Sequence, residues 1–107
     1  MIAKTPKPPY YAVIFTSIRT SVDEGYNDMS DEMENLVQTQ PGFLGFETAR
    51  NETGITVSYW KDLESIKNWR ENGAHTIARI TGKKKWYENF TVRIAKVERD
   101  YSFEKKR

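Results

Sequence analysis

Apolar positions along this chain recur in two rhythms, and the change between them marks its elements. Tyr10 to Thr20, YYAVIFTSIRT, is a dense β-branched and aromatic run, apolar at both parities over its first half. That pattern predicts a central strand. Ser21 followed by Glu24 resembles a capping box, after which Tyr26, Met29, Met33, Leu36 and Val37 form one stripe of an amphipathic helix. Pro41-Gly42 ends it. Phe43–Arg50 reads as a second strand with Leu44, Phe46 and Thr48 on one face, and Asn51-Glu52-Thr53-Gly54 as a hairpin turn. In the third strand Ile55, Val57 and Tyr59 point one way and Thr56, Ser58 and Trp60 the other. Asp62 is placed to cap a helix presenting Leu63, Ile66 and Trp69, which Asn72-Gly73 interrupts. A further helix runs from Ala74 to about Tyr87. Asn89–Arg99 is the last strand, and its apolar parity slips from Phe90, Val92 and Ile94 to Ala95 and Val97, predicting a bulge.

The order βαββ(α)αβ predicts an α+β, ferredoxin-like fold, with a four-stranded antiparallel sheet and its helices on one face. Phe15 or Ile14, Phe46, Tyr59 or Trp60, and Val92 leave apolar side chains on both sides of that sheet. Helices cover only one side, so the other calls for a partner, most simply a second copy in a symmetric homodimer.

The chain has 107 residues, which is one domain. Residues 1–9, with Pro6, Pro8 and Pro9, form an arm, residues 10–103 the domain, and residues 104–107 a basic tail. Aromatic residues make up 13% of a chain that is only 37% hydrophobic, so its core is built on rings. No cysteine and a single histidine leave no thiolate site and no histidine cluster for a metal. No apolar run approaches the roughly 20 residues of a membrane span, and MIAKTPKPPYY lacks the apolar core of a signal peptide, so a cytoplasmic protein is expected.

Charge divides unevenly. Residues 1–60 hold four Lys/Arg and eight Asp/Glu, a balance of −4, and residues 61–107 hold thirteen and seven, a balance of +6. The positives alternate with acids, and the dense clusters, Lys83–Lys85 and Lys105–Arg107, read as solvated rather than as a nucleic-acid surface. The third strand, GITVSYW, also lacks the basic-glycine-aromatic start of RNA-recognition modules. No Gly-rich phosphate loop and no Gly-x-Ser-x-Gly elbow is present.

Candidate chemistry sits on the last helical pair. His75, Ala78, Arg79, Gly82 and Trp86 share a face at helical spacing. His75 and Arg79 are neighbours at i, i+4, and a guanidinium there lowers an imidazole pKa and favours a neutral base. The plain alternative is a histidine that satisfies a carbonyl at the helix break. Gly82 inside a helix costs about 1 kcal/mol against Ala, which suggests close packing there. Trp60, Trp69 and Trp86 either line a cavity for a flat ligand or form the aromatic core.

Pro41-Gly42-Phe43-Leu44-Gly45-Phe46, then Gly54-Ile55-Thr56-Val57-Ser58-Tyr59-Trp60, Ser65-Ile66-Lys67-Asn68-Trp69-Arg70, His75, Trp86-Tyr87-Glu88-Asn89 and Val97-Glu98-Arg99 resemble the antibiotic-biosynthesis-monooxygenase-like (ABM) family. The resemblance covers residues 10–103 and implies a dimeric α/β barrel of two ferredoxin-like subunits. Some members are cofactor-free monooxygenases of polycyclic phenols. That would make His75 the base, Arg79 the anion stabiliser and Trp69 a wall, with Tyr59 or Trp60 completing an aromatic lining around a small aromatic ligand. Other members handle haem through a first-strand Asn, a helical Trp and a helical His. Those positions fall on Ser17, on Trp69 and near Arg79, with His75 one turn earlier, so haem is the alternative to no cofactor. A third reading is a small-molecule-binding dimer without turnover.

Overall fold

A computed structural model describes residues 1–106, so Arg107, the end of the predicted basic tail, lies outside the described residues. Strand β1 spans Tyr10–Arg19, helix α1 Tyr26–Val37, β2 Phe43–Arg50, β3 Gly54–Trp60, α2 Leu63–Glu71 and α3 Gly73–Thr81. One wider, π-type turn over Gly82–Trp86 leads into β4, Tyr87–Val97. The four strands form one sheet in the order β2-β3-β1-β4, each neighbouring pair antiparallel. This is the predicted α+β, ferredoxin-like architecture.

Register decides which side chains share a face. Tyr11 pairs with Trp60, Val13 with Ser58, Phe15 with Thr56 and Ser17 with Gly54. Directly opposed residues project to the same side. The side holding Tyr11 and Trp60 carries the helices, and its core is Val37, Trp60 and Ile66 with Tyr11, Val13, Phe43 and Trp69 packed around them. The other side holds Ala12, Ile14, Val57, Tyr59 and Ala95, with no helix over it.

The proline-containing arm returns to that open side. The Ala3 N–H donates to a Glu47 carboxylate oxygen at 2.9 Å, whose other oxygen accepts from the Tyr59 hydroxyl at 2.6 Å. Tyr10 donates to Asp100 at 2.5 Å, tying the arm's end to the segment after β4. Arm and C-terminal segment enclose a shallow cavity between Thr5–Pro8 and Glu98–Asp100.

Three local expectations are corrected. Ser21 and Glu24 form no capping box. Arg19 donates to the Val22 carbonyl and the Asp23 carboxylate, and the Val22 N–H donates to Thr20 Oγ. These short polar contacts hold residues 20–24 as a loop, and α1 starts after Gly25, which contributes no side-chain cap. The β1–β4 register runs unbroken from Tyr10↔Val97 to Ile18↔Asn89, so no bulge lies at Ala95. The slips occur instead at Ile18/Arg19 and at Phe43/Gly45. The second leaves Leu44 unpaired, so that Phe46 shares its face with Phe43, their ring centres 6.2 Å apart, rather than following parity from Leu44. The last helix does run to about Tyr87 as expected, but its final turn, Gly82–Trp86, is π-type and Tyr87 begins β4.

The accessible surface is 8207 Å². A monomeric protein of 12.5 kDa exposes about 6,200 Å² by the usual mass scaling. The radius of gyration, 14.7 Å, likewise exceeds the ~13 Å expected of a compact chain this long.

Candidate functional site

Asn72 builds the site's corner. It ends α2 and caps α3, its side-chain oxygen accepting from the Ala74 and His75 backbone N–H groups at 3.0 and 3.2 Å. Capping at that point turns the chain sharply and brings His75 back onto Trp69. The two rings lie parallel, 9° between planes and 4.3 Å between centres, and Trp69 stacks in turn on Trp60 at 6.4 Å. Trp60, wholly buried at 0% exposure, has its N–H satisfied by Ser58 Oγ at 2.9 Å. It is therefore the core layer behind the site, and Trp69 is the ring the imidazole covers.

The His75 Nδ1 lies 3.0 Å from the Trp69 carbonyl oxygen. A carbonyl only accepts, so Nδ1 carries a proton, and in the neutral ring Nε2 holds the free lone pair. Burial lowers the His75 pKa below the ordinary imidazole value. The Trp69 carbonyl opposes that shift, and the Arg79 and Arg70 charges reinforce it. The contact with the helix-break carbonyl is the plain alternative read from the sequence, and the nitrogen that makes it also fixes the tautomer of the other. Arg79, one turn on, has its Nε buried without a hydrogen-bond partner and makes no ion pair among the described residues.

His75, Trp69 and Arg79 are brought together, then, with Trp60 behind them. Tyr59 is not part of this group. It stands on the open side of the sheet, where burial and the Glu47 hydrogen bond raise its pKa to about 12. Ser17 is on the helix side but six residues along β1 from Tyr11, roughly 20 Å at strand rise. It is 1% exposed and accepts a hydrogen bond from the Arg50 guanidinium. Beside it, Phe15 and Tyr87 meet edge to face at 5.4 Å, and Phe15 and Phe90 lie at 5.3 Å. Gly82 is buried under Tyr87, and a Cβ there would come within 2.9 Å of that ring, which accounts for the predicted close packing. Trp86 donates to the Glu24 carbonyl at 3.0 Å and forms the floor of a groove of about 180 Å³ between α1 and α3, walled by Met29, Met33, Ile77 and Ala78.

Arg50, Tyr87 and Tyr26 were not singled out from the sequence. Arg50 sits at the end of a strand facing a hairpin turn, a position that reads as solvent-exposed. Only the register, which opposes it to Gly54 and Gly54 to Ser17, shows where its head goes.

A four-stranded antiparallel sheet in the order β2-β3-β1-β4 with its helices on one side places the chain in the class of ferredoxin-like α+β proteins. Within that class, the sequence profile of the antibiotic biosynthesis monooxygenase family matches residues 9–79, and the chain belongs to this family. It is 46% identical over 105 residues to the uncharacterized protein YqjZ of Bacillus subtilis (strain 168), covering 96% of this chain and 92% of the relative. Its fold is similar to that of Rv0793 from Mycobacterium tuberculosis, with a TM-score of 0.76 at 10% identity over 87% of this chain and 99% of the other. It is also similar to SnoaB, a cofactor-independent oxygenase from Streptomyces nogalater, with a TM-score of 0.69 at 8% identity over 92% and 100%.

Proposed function

We propose that the chain is a cofactor-independent monooxygenase acting on a small phenol- or quinol-like aromatic, and that it works as a homodimer. The observation that carries the reading is the His75 tautomer. With Nδ1–H committed to the Trp69 carbonyl and the ring held neutral by burial, Nε2 is a base ready at neutral pH. It takes the phenolic proton. The resulting anion lies within reach of the unpaired Arg79 charge, beside the stacked His75–Trp69 pair. The anion is electron-rich enough to reduce oxygen itself: one oxygen atom enters the substrate, the other leaves as water, and the substrate supplies the electrons. The protein contributes the base, the positive charge and a site that excludes bulk water.

Were haem bound, His75 would be the residue to hold it, through Nε2, since Nδ1 is committed to the Trp69 carbonyl. Two observations favour the cofactor-free reading over it: the Ser17 hydroxyl is already engaged by Arg50, and the Trp69 face is covered by the imidazole. The homodimer is supported by the surface excess of about 2,000 Å² in one chain, more than the roughly 800 Å² each partner of a stable interface buries, and by the uncovered apolar side of the sheet.

Oxygen consumption with anthrone and naphthoquinol substrates tests the proposal. His75→Ala is expected to lower kcat by about 100-fold or more, the range of a lost general base, and Arg79→Ala to lower it as well. No uptake across the panel, or full activity in His75→Ala, overturns it and leaves a ligand-binding dimer without turnover.

A further inference from the structure

The C-terminal segment carries two aromatic rings that nothing in its own chain covers. Tyr101 is 98% exposed and Phe103 88%. The segment is anchored just before them, where the Tyr10 hydroxyl donates to the Asp100 carboxylate at 2.5 Å. Two residues apart, the rings fall on one side of an extended run, and Lys105 and Lys106 follow. Bare rings beside an anchor point are the side chains that fill a pocket on a partner.

A groove of matching chemistry lies between α1 and α3. Met29, Met33, Ile77 and Ala78 wall it over the Trp86 floor, and its volume of about 180 Å³ has room for one aromatic ring. Methionine walls adapt to an inserted ring. Glu32 stands in the lining, and α1 also carries Asp28, Asp31 and Glu34, with no Lys or Arg from Tyr26 to Val37. That helix is complementary to Lys105 and Lys106. Lys83–Lys85, on the turn that bears Trp86, are the basic end of the groove, and Glu104 is the acid of the tail.

A chain's own tail falls short of this groove. From Tyr87 to Val97, β4 runs roughly 33 Å at strand rise, with the Trp86 floor at its start and the anchored Asp100 beyond its end. Phe103 is only three residues past Asp100, about 11 Å of chain at full stretch. In a second copy packed on the open side of the sheet, about a two-fold axis that crosses the strands, β4 runs the opposite way. Since β4 is an edge strand, each tail then leaves beside the other copy's Trp86 end. We propose that the C-terminal segment of each copy docks on the other, with Phe103 in the α1–α3 groove and Lys105 and Lys106 against the acidic α1. This rests on the homodimer reading and adds to it a reciprocal contact outside the sheet.

The chain has no cysteine, so a pair introduced by substitution is the only one present. The full-length variant Ser102→Cys/Ile77→Cys keeps Phe103 and places one thiol beside it and the other at a groove position that is 67% exposed. Treatment with bis-maleimidoethane at micromolar protein should give a species of twice the chain mass whose peptide map contains a 77–102 cross-link. Its yield should be at least about tenfold above that of Ser102→Cys/Leu63→Cys, because docking raises the local thiol concentration well above that in bulk. Leu63 is exposed on α2 outside the groove. Adding Phe103→Ala should bring the yield down to that of the Leu63 pair. A 77–102 link within a single chain, a yield no higher than the Leu63 pair, or a yield that survives Phe103→Ala overturns the proposal. Light scattering of the same variant before cross-linking separates the two readings. Twice the chain mass without the 77–102 link removes the tail contact and leaves the dimer, whereas one chain mass removes both.

Discussion

At the scale of single residues, His75 is the most informative side chain. Its folded pKa lies below the ordinary imidazole value, so the unfolded chain binds the proton more readily. Stability therefore declines as pH falls through about 6.5 and continues to fall until the folded-state pKa is passed. Chemical denaturation of the wild type and of His75→Gln between pH 5 and 8 should show a slope in this window that the variant lacks. Its neutral state was legible from the Arg79 spacing, but the larger cause, burial against Trp69, was not. That burial depends on a turn at Asn72 that no periodicity encodes. Tyr59 and Trp60 teach a related point. Strand alternation already sent them to opposite faces, so at most one could join the helix-side group. Which one depended on where the helices lie, and Trp60, the one on that side, is buried too completely to touch a ligand.

At the scale of elements, most boundaries followed the hydrophobic pattern, and the departures arose where local polar chemistry or close packing intervened. Residues 20–24 became a loop because Arg19 and Thr20 found partners there before a capping box could form. The last helix widened at Gly82, where the Tyr87 ring passes across the backbone. Asn72 is the joint on which the site's geometry depends, since it caps α3 through the amides of Ala74 and His75 themselves. Asn72→Ala should cost about 1 kcal/mol and lower Tm by roughly 4–8 °C in a thermal melt followed by circular dichroism. Oxygen uptake should fall by more than that stability loss explains, because the imidazole loses its anchored backbone.

At the scale of the whole molecule, the open side of the sheet is the dominant feature. Ile14 and Val57 lie there under no helix beside the exposed Ile18 and Ile55, and the arm covers the end near Tyr59 and Glu47. A second copy packed on this side would remove the excess surface. Light scattering at micromolar concentration should then give twice the 12.5 kDa chain mass. Val57→Lys should return the species to the chain mass. A lysine there faces Glu47 across the strand pair, so the protomer retains its fold. A wild-type mass equal to one chain would remove the dimer. Among the described residues no helix is long and apolar enough to cross a membrane.

The sequence by itself determined the order and type of the elements, the alternation of faces along β3, the pairing of His75 with Arg79 at one helical turn, and the presence of more apolar surface than three helices can cover. These are properties of spacing, and spacing is local. The tertiary structure alone decided that His75 stacks on Trp69 with Nδ1 on its carbonyl, that Ser17 and Trp60 lie at opposite ends of the helix-covered side, and that Arg50 folds inward over Gly54. Each of these depends on strand register and on the turn between two helices. There, contacts between residues distant in the chain set the geometry, and a shift of one position would send the same side chain to the other face.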